Sequence, residues 1–185
     1  MTKGHRARKI AFEEALRCFD RENPVKPGSS NGYARGLLKS ADEKFGGRWG
    51  CISLVREDLL DIILPHHISE GGSIELIPRS GLTVAAAVQK LREISVREYQ
   101  SANPRCWQKI TYWKEHYPSP IFLSIVPMGE TDYQDLADYR NHLIHLDGLH
   151  RLIAWGLSGR FEPEEYEKGD GVTAYVAGLE EDGTN

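Results

Sequence analysis

No run of about 20 apolar residues, the length a helix needs to cross a bilayer, occurs in the 185 residues, and no apolar stretch of the kind a secretion signal requires stands near the N-terminus. A cytoplasmic location with no membrane partner is the expectation. Cysteine is scarce. Cys18, Cys51 and Cys106 are odd in number, widely separated and contain no C-x-x-C pair, which excludes a disulfide framework or a zinc ribbon and leaves three reduced, buried thiols. Positive charge is not in excess: 23 Lys and Arg stand against 27 Asp and Glu, a formal net charge of −4. With no global cationic field to collect phosphate backbones, no nucleic-acid partner is expected. The one basic run, 3-KGHRARK-9, reads as a solvated arm. Metal ligands are also thin. The adjacent His66 and His67 point apart on regular structure and lack a suitably spaced third ligand, so no metal is expected.

What remains is ordinary globular composition, with 40% hydrophobic, 27% charged and 9% aromatic residues. A chain of this size folds as one domain and buries roughly two-thirds of its unfolded surface, enough for a core and a concave site. Residues 8-RKIAFEEALRCFDRE-22 place Ile10, Ala11, Ala15, Leu16, Cys18 and Phe19 at helical spacing, and 23-NPVKPGSSNG-32 ends that helix. Tyr33 to Phe45 predicts a second short helix, 46-GGRWG-50 a turn-rich connector, and 54-LVREDLLDIILP-65 a further helical stretch stopped by Pro65. Residues 1–72 thus read as an N-terminal helical cap.

From residue 73 the period changes. The segment 73-SIELIPRS-80 alternates like a strand, and 82-LTVAAAVQKLREIS-95 follows as a helix with Leu82, Ala86 and Leu91 toward a sheet. An aromatic stretch, 99-YQSANPRCWQKITYWKEHYPSP-120, leads to the apolar strand 120-PIFLSIVP-127, which reads as buried. An acidic loop then delivers the strand 142-HLIHLD-147, a turn at Gly148 and the helix 149-LHRLIAWGLSG-159. The acidic connector 162-EPEEYEKGDG-171 precedes a last strand, 172-VTAYVAGL-179. Residues 73–185 are the expected α+β core of one compact domain.

Chemistry concentrates in 145-HLDGLHRLIAWGLSG-159, where a strand ends in a carboxylate, Gly turns the backbone, and His150 and Arg151 open a helix. A helix N-terminus offers unpaired N–H groups and about half a unit of positive charge, so it stabilises an anion. Arg151 would add a forked permanent cation and His150 a proton carrier titrating near neutrality. His145, two residues before Asp147, lies on the same strand face. The blander alternative makes Asp147 an N-cap, with His150 and Arg151 on a solvated helix face. Trp107, Tyr112, Trp113, Glu115 and His116 are the candidate wall of a substrate pocket, against the blander reading of a Trp-rich packing helix. Of the neighbours Glu115 and His116, one at most reaches the site from a helix.

The stretch DGLHRLIAW, followed by GLSG and the strand 172-VTAYVAG-178, resembles the signature of the ParB/sulfiredoxin superfamily. The units 74-IELIP-78, 82-LTVAAAVQKL-91 and 121-IFLSIV-126 fall in that family's order, so the resemblance covers residues 73 to 179. It implies a ParB/sulfiredoxin-like mixed sheet with packed helices. In that superfamily the stretch matching 147-DGLHR-151 commonly binds nucleotide phosphates. Leu149 stands where sulfiredoxin has its reactive cysteine, and no basic helix-turn-helix follows residue 179, so neither peroxiredoxin repair nor a partition role is expected. The chain is also similar to short stand-alone proteins of bacterial natural-product pathways. At least one of these works without cofactor on a polyketide–tetramate, eliminating water and closing a macrocycle by Michael-type addition.

Three functions follow as expectations. In the first, the bound anion is a substrate enolate or acidic dicarbonyl, and the histidines and carboxylates move protons in an elimination or conjugate addition without a cofactor. In the second it is a phosphate of ATP or CTP with magnesium, in a small-molecule kinase using Asp147 or Glu115 as base or metal ligand, although no Gly-rich phosphate loop is present. In the third the protein binds a nucleotide or acidic metabolite without turning it over. A small-molecule partner is common to all three.

Overall fold

The structure is a computed structural model, and it describes residues 7–23, 31–129, 131–166 and 171–179. The basic run before Ala7 and part of the acidic connector lie outside them. In chain order the first elements are β1 (Arg8–Ile10), α1 (Phe12–Glu22), α2 (Asn31–Phe45), β2 (Trp49–Leu54), α3 (Arg56–Asp61), β3 (Ile63–Leu64), β4 (His67–Ile68), β5 (Glu75–Ile77) and β6 (Leu82–Thr83). The rest are α4 (Val84–Glu93), α5 (Val96–Ala102), α6 (Pro104–Lys114), β7 (Ile121–Ser124), β8 (Ile144–Asp147), α7 (Leu149–Leu157), α8 (Pro163–Tyr166) and β9 (Val172–Ala177). No helix among them is long and apolar enough to cross a membrane.

Seven strands form one mixed sheet in the order β1-β2-β9-β7-β8-β3-β6, and β4 pairs with β5 in a separate two-stranded sheet. Strand β7 sits centrally, parallel to β9 and antiparallel to β8. Its four residues are all buried because both sheet faces are covered, which is why 121-IFLS-124 is a continuous rather than alternating apolar run. Alternation survives in where the side chains go. Ile121 and Leu123 join the larger core with Leu91 and Ile110, Leu152 and Trp155 from α4, α6 and α7. Phe122 points the other way, into a second core with Phe19, Leu38 and Phe45 of α1 and α2. The class is α+β, a mixed sheet between two groups of helices.

Two glycines set close approaches. At Gly156 an added Cβ would stand 2.6 Å from Val88 Cγ2, so this residue lets α7 press against α4. Gly148 turns β8 into α7 with φ at +118°, where an L side chain is strained and its Cβ would collide with Ile121. Trp155 fixes α7 to the end of α6. Its indole Nε1 donates to the carbonyls of Trp113 and His116, both at 3.1 Å, which satisfies the polar edge of a fully buried ring.

Several expectations need correction. Residues 1–72 are no helical cap set on a later core: they contribute β1, β2 and β3 to the main sheet, and β2 pairs with β9 over six residues. The connector expected at 46–50 hides the start of β2, whose Trp49 and Cys51 face one core while Ile52 and Leu54 face the other. The helical stretch expected over 54–65 shrinks to α3, after which Ile63–Leu64 pair parallel to β8. The strand expected over 73–80 exists as β5 but lies in the small sheet. On α4 the buried positions are Val84, Ala87, Val88 and Leu91; Ala86 is exposed and Leu82 belongs to β6. Of the cysteines, Cys18 is buried, Cys51 and Cys106 are half-buried, and all are free thiols.

Candidate functional site

Strand β8 places His145 and Asp147 on one face, the Gly148 turn follows, and the first turn of α7 presents His150 and Arg151. All four border a cavity of about 470 Å³. Trp113 and Lys109, four residues apart and so on one face of α6, form part of its wall. Asn23 at the end of α1, Tyr33 on α2 and His67 on β4 complete the parts that matter here.

Asp147 is not the cap of α7. Gly148 occupies that position, and the carboxylate instead accepts from Arg151 Nη1 at 3.2 Å and Asn23 Nδ2 at 3.3 Å. Its side chain is 21% exposed, against 3% for that of Arg151. Burial raises the Asp147 pKa above the usual carboxylate range, while Arg151 and the Asn23 hydrogen bond hold it down in part. The helix start is occupied too. His145 Nε2 accepts from the Leu149 N–H at 2.8 Å, using one of the donors a helix end leaves free. That bond assigns the His145 proton to Nδ1. Burial first, and then the charge of Arg151, lowers the His145 pKa to about 3, so the ring is neutral at ordinary pH.

Arg151 differs from expectation most. It does not stand ready as an anion clamp: Nη1 donates to the Pro120 carbonyl at 2.6 Å and to Asp147, Nη2 donates to Asn23 Oδ1 at 3.2 Å, and the guanidinium lies over the Trp113 ring at 4.5 Å. Only Nε is buried without a partner among the described residues. The physical reason is the four-residue spacing of Asp147 and Arg151, which lets a side chain from the first turn of α7 reach back to the end of β8. With that fork engaged, Arg151 holds the strand, the turn and α1 together.

His150 is in the opposite state. Its Nε2 is shut off from water and meets no protein hydrogen-bond partner among the described residues. The ring lies edge-on to His67, with centroids 6.1 Å apart and planes at 90°. Burial is the main cause that keeps the His150 pKa well below its ordinary value, followed by the charge of Lys109 and the neighbouring His67. A buried ring nitrogen left unpartnered costs about 1–3 kcal/mol, a cost that folding alone gives no reason to keep.

The expected aromatic wall divides. Trp113 borders this cavity and also a second one of about 640 Å³, on which Tyr112, Glu115 and His116 lie. Trp107 borders neither, packing edge-on to Tyr99 at 6.3 Å with Lys114 above its ring. Sequence reasoning passed over Lys109, Asn23 and Tyr33, and it set His67 aside as half of a poor metal pair. The signal for Lys109 was its helical spacing from Trp113; Asn23 and Tyr33 had none beyond polarity. No group of three or more His, Cys, Asp or Glu suited to a metal ion occurs among the described residues.

Residues 5–185, nearly the whole chain, match the profile of a family of unknown function, DUF6309. The chain belongs to the DUF6309 family. No characterised protein and no solved structure matches it. What this DUF6309 site can do therefore rests on its own groups: a neutral imidazole whose nitrogen has no partner among the described residues, three further histidines, the anchored carboxylate of Asp147 with Glu22 and Asp132 at the border, and one exposed lysine.

Proposed function

We propose that this protein is a small biosynthetic enzyme of cofactor-independent acid–base chemistry, dehydrating and then cyclising by Michael-type addition an acidic carbonyl substrate such as a polyketide–tetramate. The observation that carries the reading is the unpartnered, buried Nε2 of His150, a residue on the border of a cavity that three more histidines also line. A neutral imidazole is the form that accepts a proton, and such a group contributes typically about 10²–10⁴-fold in rate. His150 takes the proton from the carbon beside the carbonyl, and the bond's electrons form the enolate. The enolate expels the β-hydroxyl as the carbon–carbon double bond forms, and the His150 imidazolium returns its proton to the departing oxygen, which leaves as water.

The other groups support that step. His145 closes the start of α7, and Asp147 with Arg151 holds the turn that carries His150, so these three are positioning residues. Lys109, exposed at the cavity, attracts an anionic substrate. The likeness of 147-DGLHR-151 to the ParB/sulfiredoxin superfamily belongs to the same reading, as does a cytoplasmic place of work. The test is a β-hydroxyacyl tetramate incubated with the protein and followed by mass spectrometry. Water loss should be time-dependent, and His150→Gln should slow it about a hundredfold or more. Stabilisation by magnesium and ATP with phosphate transfer to a small molecule, and no water loss, would replace this reading with phosphotransfer.

A further inference from the structure

The pair 66-HH-67 remains outside that mechanism, and its two rings have different surroundings. His66 Nε2 pairs with Glu75 Oε1 at 3.1 Å. Both histidines border the cavity, and the Nε2 of His67, the ring beside His150, faces inward, 3.3 Å from the Tyr99 hydroxyl and 3.3 Å from Asn103 Nδ2. Asn103 Nδ2 also donates to the Tyr99 oxygen at 2.9 Å. Tyr99 and Asn103 are completely buried, so water does not compete for these bonds.

The donor inventory then decides the tautomer. An amide N–H donates only, and a hydroxyl that accepts from Asn103 has its own hydrogen free to give. With the Asn103 amide turned so that Nδ2 faces both rings and Oδ1 is buried without a partner among the described residues, both groups present hydrogens to His67 Nε2, which then holds a lone pair and leaves the ring proton on Nδ1. Among the described residues Nδ1 takes no protein partner. The chain has thus built a fixed neutral imidazole with one N–H to offer, next to the imidazole whose nitrogen is unpartnered.

We infer that His67 is the oxyanion donor of this site, holding the enolate oxygen of a β-hydroxy carbonyl substrate through Nδ1–H, with Tyr99 and Asn103 as the positioning residues that set its tautomer. This rests on the proton-transfer reading above and supplies what that reading lost when Arg151 proved to be engaged elsewhere. With ring centroids 6.1 Å apart, His67 and His150 are close enough for one planar enolate to touch both. Burial, and after it the charge of His66, keeps the His67 pKa below its ordinary value. A neutral donor is suited to an enolate, because it stabilises the charge without surrendering its proton.

The tautomer can be read without turnover, by nitrogen NMR of the full chain with ¹⁵N-labelled histidine, assigned through His67→Leu. Wild type should show His67 with an unprotonated Nε2 and a protonated Nδ1, and Tyr99→Phe should mix the two forms. Added pyrrolidine-2,4-dione, an acidic dicarbonyl that is an enolate near neutrality, should move the Nδ1–H resonance downfield in wild type. On a β-hydroxyacyl tetramate, His67→Leu should lower kcat about 10²–10³-fold, the loss typical of one oxyanion donor. A protonated Nε2 in the wild type, or a dicarbonyl that leaves the His67 signals unmoved, overturns the inference even where His150→Gln abolishes turnover. The expected tautomer and shift with no water loss from any tetramate would instead uphold the donor and sink the dehydration reading.

Discussion

Trp113 borders two cavities of opposite character. On the β8 side His145, Asp147 and His150 are largely buried, the His145 and His67 rings are each held by hydrogen bonds, and His150 Nε2 has no partner among the described residues. On the other side His116 and Glu115 are exposed, the His116 ring stacks on Tyr112 with centroids 3.9 Å apart, and its Nδ1 bonds the Tyr112 carbonyl at 2.7 Å. Both regions contain a histidine, a carboxylate and an aromatic wall, so residue type alone does not separate them. What differs is whether folding leaves polar capacity unsatisfied in a place water cannot reach. Among the described residues the first cavity does this at a titratable imidazole nitrogen, His150 Nε2, and the second only at the Tyr117 hydroxyl, which is why the proposed chemistry is placed at His150 and not around Tyr112.

Three changes sharpen that contrast. The largest effect on stability is expected from Arg151→Met, which leaves Asp147 and Asn23 without their shared cation. Breaking a buried pair costs about 3–5 kcal/mol, and the partial exposure of Asp147 places this one near the lower end, about 3 kcal/mol or a fall in Tm of roughly 6–12 °C. A loss below about 1 kcal/mol would mean that the pair is not holding the turn.

The next effect is on pH dependence. His145, His150 and His67 all have pKa values lowered by burial, so the unfolded chain binds protons below about pH 6.5 that the folded chain refuses. Stability is therefore whole above that pH and falls as the medium is acidified, for His145 down to about pH 3, by about 1.4 kcal/mol per pH unit for each histidine. Asp147, with a raised pKa, works the other way in acid: its folded form binds a proton first and returns part of the loss. Urea midpoints measured between pH 8 and 4 should decline below about 6.5. A flat profile would show that the rings are not buried as described. The smallest effect is expected from Tyr112→Ala and His116→Gln in the second cavity, within about 0.5 kcal/mol in stability and with water loss unchanged. A tenfold fall in turnover from either would erase the contrast between the two regions.

The part of this molecule that could be read from its residues is the local part. The strand, turn and helix of 145-HLDGLHRLIAWGLSG-159 appear where the carboxylate, glycine and helical spacing put them, and the cavity forms around them. The buried run 121-IFLS-124 and the final strand were equally legible, because a strand covered on both faces has a composition of its own. The short strands were not. Ile63–Leu64 and His67–Ile68 are two residues each, too short to show any period, and Trp49–Leu54 begins inside a glycine-rich stretch. Side-chain allegiance was the other gap. Spacing could bring Arg151 near Asp147, but only the tertiary fold supplies Pro120 and Asn23 to engage the guanidinium. Likewise His67 gains its meaning from Tyr99 and Asn103, more than thirty residues away in sequence.

In the proposed mechanism His150 moves a proton on carbon. Its most direct test is deuterium incorporation from D₂O at the carbon beside the carbonyl of a β-hydroxyacyl tetramate, comparing wild type with His150→Gln. The wild type should exchange that position, and the variant, folded and with Asp147 and Arg151 in place, should do so at least about a hundredfold more slowly. Exchange at the wild-type rate in His150→Gln would contradict the account.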